Sequence, residues 1–337
     1  MTRKHHLLDE DDVRVRPGRG KSRPRSKDRP EHSEARSGTV MTVDRGRFTV
    51  ELDDGTPMYA IKARELGRKG IVVGDHVDIV GDVSGETDTQ GRIVRRDERS
   101  STLRRTADDS DPVERVVVAN ANQLAVVTAT IDPEPRTGLI DRAIAAALDA
   151  GIVPMLVVTK TDLKPPDELL ALYGPLDLPL FTITGKQVPD ELRRALASQA
   201  TVLVGHSGVG KSTLVNNLVP SAERVIGHVN AVTGRGRHTS TSVVALHLPG
   251  GGIIIDTPGI RSFGLAHVDV GRIIHAFPDL AALTDGCPRA CSHDEPDCAL
   301  NDVSAAPGDP AAMALRVESL RRLIRSRTAS VDDEQPT

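Results

Sequence analysis

Two short segments, placed in the reverse of their usual order, limit what this chain can fold into. Gly205-His206-Ser207-Gly208-Val209-Gly210-Lys211-Ser212 follows the apolar run Thr201–Val204 and fits the spacing G-x-x-x-x-G-K-[ST]. A strand before such a loop and a helix after it turn backbone N–H groups toward phosphates, and the helix amino end favours negative charge. Lys211 is then expected at the β- and γ-phosphates, with Ser212 on Mg²⁺ and Thr213 beside it. About forty residues upstream, Thr159-Lys160-Thr161-Asp162 closes another apolar run, Val153–Val158. A carboxylate at Asp162 can accept from N1–H and the exocyclic amine of guanine, a donor pair that adenine lacks. GTPases ordinarily carry the phosphate loop first. Loops in space make a site, whatever their order along the chain, so the simplest reading is a circularly permuted GTPase.

Further segments fit that reading. The stem of Lys160 can lie along the base. Thr184-Gly185, after the run Pro179–Ile183, suits the loop that supports the base from its other side. Thr159 stands where Asn is commoner and is expected to lose the amide that tethers the phosphate loop. Asp256-Thr257-Pro258-Gly259 follows Gly252–Ile255. Asp256 suits Mg²⁺ held through a water, and the Gly259 N–H suits the γ-phosphate. Ile260 comes next, where Ras-type enzymes orient water with Gln; slow intrinsic turnover is the consequence. In Gly234-Arg235-Gly236-Arg237-His238-Thr239-Ser240-Thr241, Thr239 is the expected Mg²⁺ hydroxyl, with Ser240 and Thr241 as rivals. His238 is either a group that orients water near neutral pH or a surface histidine in a basic loop.

Two other functions stay open on residues alone. One is an ATP-using phosphate-loop enzyme, which Asp162 opposes. The other is a non-catalytic RNA-binding module with a vestigial site, which Lys211, Ser212 and Asp256 oppose.

The chain has three cysteines among 337 residues, all between Cys287 and Cys298. That clustering argues against a disulfide framework. Cys287-x₃-Cys291-x-His293-x₄-Cys298 offers three thiolates and an imidazole, a closed set for one structural, tetrahedral Zn²⁺. Thiols kept for a metal point to a reducing, cytoplasmic setting. The sequence has no apolar run of bilayer-spanning length, so no membrane partner is expected.

Length suits two or three domains. The formal net charge is -4, yet Arg14–Arg29 is basic and rich in Pro, Gly and Ser. It is expected to be disordered, as an RNA-binding arm or a solubilising extension. Beyond it, Thr39–Val43, Arg47–Leu52, Val72–Val80 and Gly91–Val94 read as members of a set of about five strands divided by turns. Such a set suits an OB-type barrel, with an SH3-like barrel as competitor. Only Phe48 and Tyr59 could stack on bases there, so RNA contact would rest on charge and shape. From Val113 strands alternate with helices (Leu139–Ala150, Pro189–Ser198), as in a parallel sheet covered on both faces. Ala311–Arg327 reads as a final helix.

Taken together, these residues resemble the ribosome small-subunit-dependent GTPase A family (RsgA, also called YjeQ or YloQ). The likeness runs from about Gly38 to about Arg327 and rests on the permuted order, on GHSGVGKST at 205–213, GRGRHTST at 234–241 and DTPGIRSFGL at 256–265, and on the cysteine–histidine cluster. The cluster is a residue or so tighter than in many members, and Ser240 stands where threonine is usual. The resemblance implies a multidomain α/β protein: an N-terminal OB-type β-barrel, a central permuted P-loop GTPase domain, and a mostly helical C-terminal zinc-binding domain. It implies that His238 is catalytic beside Lys211. It further implies GTP hydrolysis stimulated by the small (30S) ribosomal subunit, assistance to late maturation of that subunit, contact with its 16S rRNA through the outer domains, and a monomer. The division expected is a disordered basic tail at 1–37, an OB domain at 38–100, a linker at 101–112, the GTPase domain at 113–280, the zinc domain at 281–327 and a disordered end at 328–337.

Overall fold

The computed structural model describes residues 32–44, 46–67, 70–86, 89–108, 111–220, 222, 243–258, 265, 268–304 and 306–327. The basic segment 14–29, the segment 234–241 with His238, Thr239, Ser240 and Thr241, the pair Gly259 and Ile260, and the end 328–337 lie outside these residues.

Five strands close a barrel: β1 (Arg36–Asp44), β2 (Arg47–Leu52), β3 (Pro57–Lys62), β4 (His76–Gly81) and β5 (Gly91–Arg96). β1, β2 and β3 form an antiparallel meander; β3 pairs in parallel with β5, β5 with β4, and β4 returns to β1. The order 1-2-3-5-4-1 is that of an OB barrel, which settles the choice against an SH3-like one. A bulge between Val40 and Thr42 lets β1 bend far enough to serve both neighbours. Alternate residues point inward: Phe48, Val50 and Leu52 from β2, Met58 and Ala60 from β3, Val77 and Ile79 from β4, and Ile93 from β5. Phe48 is therefore core, 4 % exposed, and is not available to stack on a base. That leaves Tyr59 of the two aromatics considered. Strand β3 escaped sequence reading because Pro57 opens it and only Met58 and Ala60 face inward.

Residues 101–112, expected as a linker, instead carry regular structure. β6 (Thr102–Asp108) and β7 (Asp111–Ala119) form an antiparallel hairpin. A charged strand needs only a ladder partner and one buried anchor. Here Leu103, fully buried, is the anchor, and the valine-rich end of β7 is the partner. The hairpin is fastened to the barrel. Val73 bridges Val118, Asn120 Nδ2 donates to Gly74 O at 2.8 Å, and Arg99 donates to both oxygens of fully buried Asp75 at 2.7 and 2.8 Å.

The central domain is a sheet in the order β10-β9-β8-β11-β13-β12. Its strands are β8 (Gln123–Ala129), β9 (Val153–Thr159), β10 (Leu180–Thr182), β11 (Ala200–Val204), β12 (Val244–His247) and β13 (Ile253–Asp256). All are parallel except β12. Strands buried on both faces send alternate residues to two cores. Leu124, Val126, Leu156, Val158, Val202 and Val204 meet helix α1 (Thr137–Asp149) through Ile140 and Ile144. Ala125, Val127, Met155, Val157 and Leu203 meet α3 (Asp190–Leu196) and α4 (Lys211–Leu218). Between β9 and β10 lies α2 (Asp167–Tyr173). The edge strand β12 also touches the barrel, with Thr42 opposite Val244 and Glu51 Oε1 2.8 Å from His247 Nε2.

The C-terminal part holds α5 (Val270–His275), α6 (Pro278–Ala281) and α7 (Pro310–Arg325), with the cysteine loop between the last two. Asp309 caps α7 by accepting from Ala311 N, and Pro310 takes the first turn, where a missing N–H costs nothing. Val317, Leu320, Leu323 and Ile324 bury one face of α7 in the larger core. Arg322 of that helix pairs with buried Asp141 of α1 at 3.0 Å and lies over the Tyr173 ring.

Candidate active site

Because β8, β9, β10, β11 and β13 run parallel, their carboxyl ends share one edge. Register places Ala129 opposite Thr159, Thr182 opposite Val158, Val204 opposite Val126 and Leu203 opposite Asp256. The segments reversed in sequence therefore emerge side by side.

The loop from Gly205 to Gly210 joins β11 to α4. At Gly205 a β-carbon would lie 2.4 Å from Val127 O, so only glycine lets the chain turn this tightly against β8. Gly210 holds φ 90 as the residue before α4, a left-handed conformation that aims the first helical amides into the loop. Val209 is buried and pins the loop to the sheet, whereas Ser207, Gly208, Ser212 and Thr213 are exposed at its rim. His206 Nδ1 lies 2.8 Å from Ser207 O. Lys211 Nζ donates to Thr257 O at 3.1 Å and stands 3.1 Å from Asp256 Oδ1, near enough for charge attraction but without hydrogen-bond alignment. That buried Asp256 oxygen accordingly has no donor among the described residues. A buried acceptor left so is costly, and a hydrated hard cation beside Ser212 would satisfy it. Thr257 Oγ1 donates to Leu203 O at 2.6 Å and holds the Asp256 turn against β11.

The second corner forms at the ends of β9 and β10. Asp162 Oδ1 accepts from Gly185 N at 2.9 Å. The Thr161 and Thr184 hydroxyls lie 2.9 Å apart, and Thr161 Oγ1 lies 3.1 Å from Ile183 O. An exposed carboxylate held by a backbone amide can present itself edge-on to a planar donor pair. Thr159 corrects the sequence expectation. Its hydroxyl lies 2.6 Å from Val209 O in the phosphate loop and 3.1 Å from Thr128 O. A tether between the two corners is thus kept, through an oxygen in place of an amide. The closeness of β9 to the loop makes this possible: at Gly210 even a β-carbon would come within 3.6 Å of Thr159 Oγ1. Sequence reading missed Thr130 and the Asp132 carbonyl, which accepts from Lys160 Nζ. No local pattern marks them, since each matters only through a neighbouring strand.

The cysteine–histidine set also closes in space. Cys287 Sγ lies 3.7 Å from His293 Nδ1 and 3.8 Å from Cys298 Sγ, with Cys298 Sγ 3.9 Å from His293 Nδ1. All four ligand atoms, Cys291 Sγ included, lie within 4.8 Å of one another. Metal–sulfur bonds of about 2.3 Å at tetrahedral angles put sulfurs about 3.8 Å apart, so these residues fit a tetrahedral metal. Burial pushes the Cys291 thiol up to about 12, and in that protonated state it donates to Glu295 Oε2 at 3.2 Å. Burial also holds the His293 pKa down, which favours the neutral ring that ligates. Arg321 donates to His293 O at 2.8 Å and ties this loop to α7.

A phosphate loop and a guanine-reading motif that meet on one sheet edge, with the second preceding the first along the chain, define a circularly permuted GTPase. The RsgA GTPase family model matches residues 96–266. A small ribosomal subunit biogenesis GTPase RsgA of Pseudomonas aeruginosa is 41% identical over 246 residues, 70% of this chain and 71% of that protein. The chain belongs to the RsgA GTPase family. Its fold is shared with YjeQ from Thermotoga maritima (TM-score 0.62, 24% identity, 86% of this chain and 99% of the other). It is shared likewise with YloQ, described as a circularly permuted GTPase (TM-score 0.60, 22% identity, 92% and 99%).

Proposed function

We propose that this protein binds GTP with Mg²⁺, docks on the small ribosomal subunit, assists its late maturation and hydrolyses GTP to GDP and phosphate under stimulation by the subunit. The observation that carries the reading is the meeting of the Asp162 corner with the Lys211 loop, bridged by the Thr159 hydroxyl at 2.6 Å. The Pseudomonas relative's role in subunit biogenesis supports the choice of partner.

In this reading Asp162, oriented by Gly185, accepts from the guanine edge, and Thr161, Thr184 and Lys160 bound the base. The amides of Gly205, His206, Ser207, Gly208, Val209 and Gly210, with Lys211 and Thr213, cradle the phosphates. Lys211 neutralises charge on the β- and γ-oxygens and Gly259 N–H meets the γ-phosphate. Ser212, Asp256 and Thr239 would hold Mg²⁺, which when bound neutralises phosphate oxygens. His238 orients the attacking water in place of the side chain that Ile260 lacks. Cys287, Cys291, His293 and Cys298 would hold one Zn²⁺, whose four protein ligands leave no open position and so make it structural. The barrel and the zinc module contact 16S rRNA by charge and shape. In this reading the protein works on ribosomal subunits as a cytoplasmic monomer; no described helix is long and apolar enough to cross a membrane.

GTP turnover measured with and without small subunits tests the reading. Stimulation by the subunit, abolished in Lys211→Ala, is expected. Turnover indifferent to the subunit, or unaffected by Lys211→Ala, refutes it.

A further inference from the structure

The end of β8 shares in holding the shape of the motif Thr159–Asp162. Lys160 sits at φ 57, in the left-handed region that side-chain-bearing residues avoid. Three contacts from the next strand keep it there. Thr130 N donates to Thr159 O at 3.1 Å, Thr130 Oγ1 donates to Lys160 O at 2.8 Å, and Lys160 Nζ donates to Asp132 O. Thr130 is 2% exposed, so its hydroxyl has no water to replace that bond. Leu163 N donates to the same Lys160 carbonyl at 2.9 Å, and the tight turn that results carries Asp162 toward Gly185.

We propose that Thr130 is a positioning residue for base recognition. It turns the Lys160 peptide so that the lysine stem runs back toward Asp132 and walls one side of the base, while Asp162 reads the edge. The inference rests on the guanine-nucleotide reading above. It extends the recognition element from two strand ends, those of β9 and β10, to a third, that of β8, with Thr130 touching only protein.

Thr130→Val keeps shape and removes the donor. Since a net hydrogen bond is worth a small factor, GDP and GTP affinities should each fall about 5-fold. The ratio of GDP to IDP affinity should stay unchanged, because Asp162 still reads the exocyclic amine. Thr130→Ser should restore wild-type affinity, which a packing role for the methyl group would not predict. Titration with a fluorescent GDP analogue, and competition by GDP, GTP and IDP, measures these affinities in each variant. Wild-type affinity in Thr130→Val, or a Ser variant as weak as Val, overturns the proposal. Should Thr130→Val not fold, Lys160→Met carries the test: it keeps the stem and removes the amine that reaches Asp132. A several-fold loss supports the cradle, and wild-type affinity there refutes it. If the wild-type protein itself fails to bind GDP, the guanine reading falls; if it binds and the variants match it, only the positioning role falls.

Discussion

Thr159→Val separates the tether from everything else Thr159 does. The side chain is 5% exposed, and valine fills almost the same volume, so packing is preserved. What disappears is one O–H, which lies 2.6 Å from Val209 O and 3.1 Å from Thr128 O. A hydroxyl has a single proton, and the shorter distance assigns it to Val209. The variant leaves that carbonyl short of a donor in a site poor in water, a loss of about 1–3 kcal/mol. A domain of this size loses about 2–4 °C of Tm per kcal/mol, so melting of the nucleotide-free protein should fall by about 2–12 °C. GDP should bind more weakly as well, because the loop must be ordered at the moment of binding. Thr159→Asn offers two N–H donors, enough for both carbonyls, and should bind GDP at least as tightly as wild type. Thermal melts with and without GDP, plus GDP titration, read all of this. A Thr159→Val protein that melts and binds like wild type would refute the tether.

Asp162→Asn should weaken GTP binding by about 5–150-fold, the 1–3 kcal/mol of a bidentate pair, and should favour xanthosine nucleotides in competition; an unchanged guanine preference sinks the base assignment. Elemental analysis should find one zinc per chain in the wild type and none in Cys298→Ser. Chelation should unfold the loop around Cys287–Cys298 while leaving GDP affinity mostly intact, and a metal-free wild type of unchanged melting would contradict a structural role. The hydrogen bonds from Arg316 lower the Asp279 pKa from 3.8. A lowered folded value means that the pair stabilises above the unfolded value and that the contribution fades as pH falls through the folded one. Tm of Asp279→Asn should therefore fall less steeply than wild type below pH 3.8, and identical acid limbs would argue that the pair contributes nothing.

Much of the site was legible because its chemistry is local. The run Gly205–Ser212 needs glycine at tight turns, lysine at its end and a helix after it, and all three are neighbours in sequence. The same holds for Cys287–Cys298, where four ligands fall within a stretch short enough to close on one metal, and for Asp162, whose carboxylate follows directly on a buried strand. Alternating apolar and polar residues likewise announced most barrel strands and the layered central domain.

What the chain order alone determined was therefore the set of chemical groups and the need for a permuted arrangement to unite them. Tertiary structure decided how they are held. Parallel register put Thr159 against Val209, Thr130 against Lys160 and Asp256 beside Lys211, and each pair joins residues far apart along the chain. It also turned the supposed linker at 101–112 into a hairpin and took Phe48 into the barrel core. The reason is physical: a side chain's identity fixes which bonds it can make, but distance to a partner on another strand depends on how the whole sheet twists and pairs.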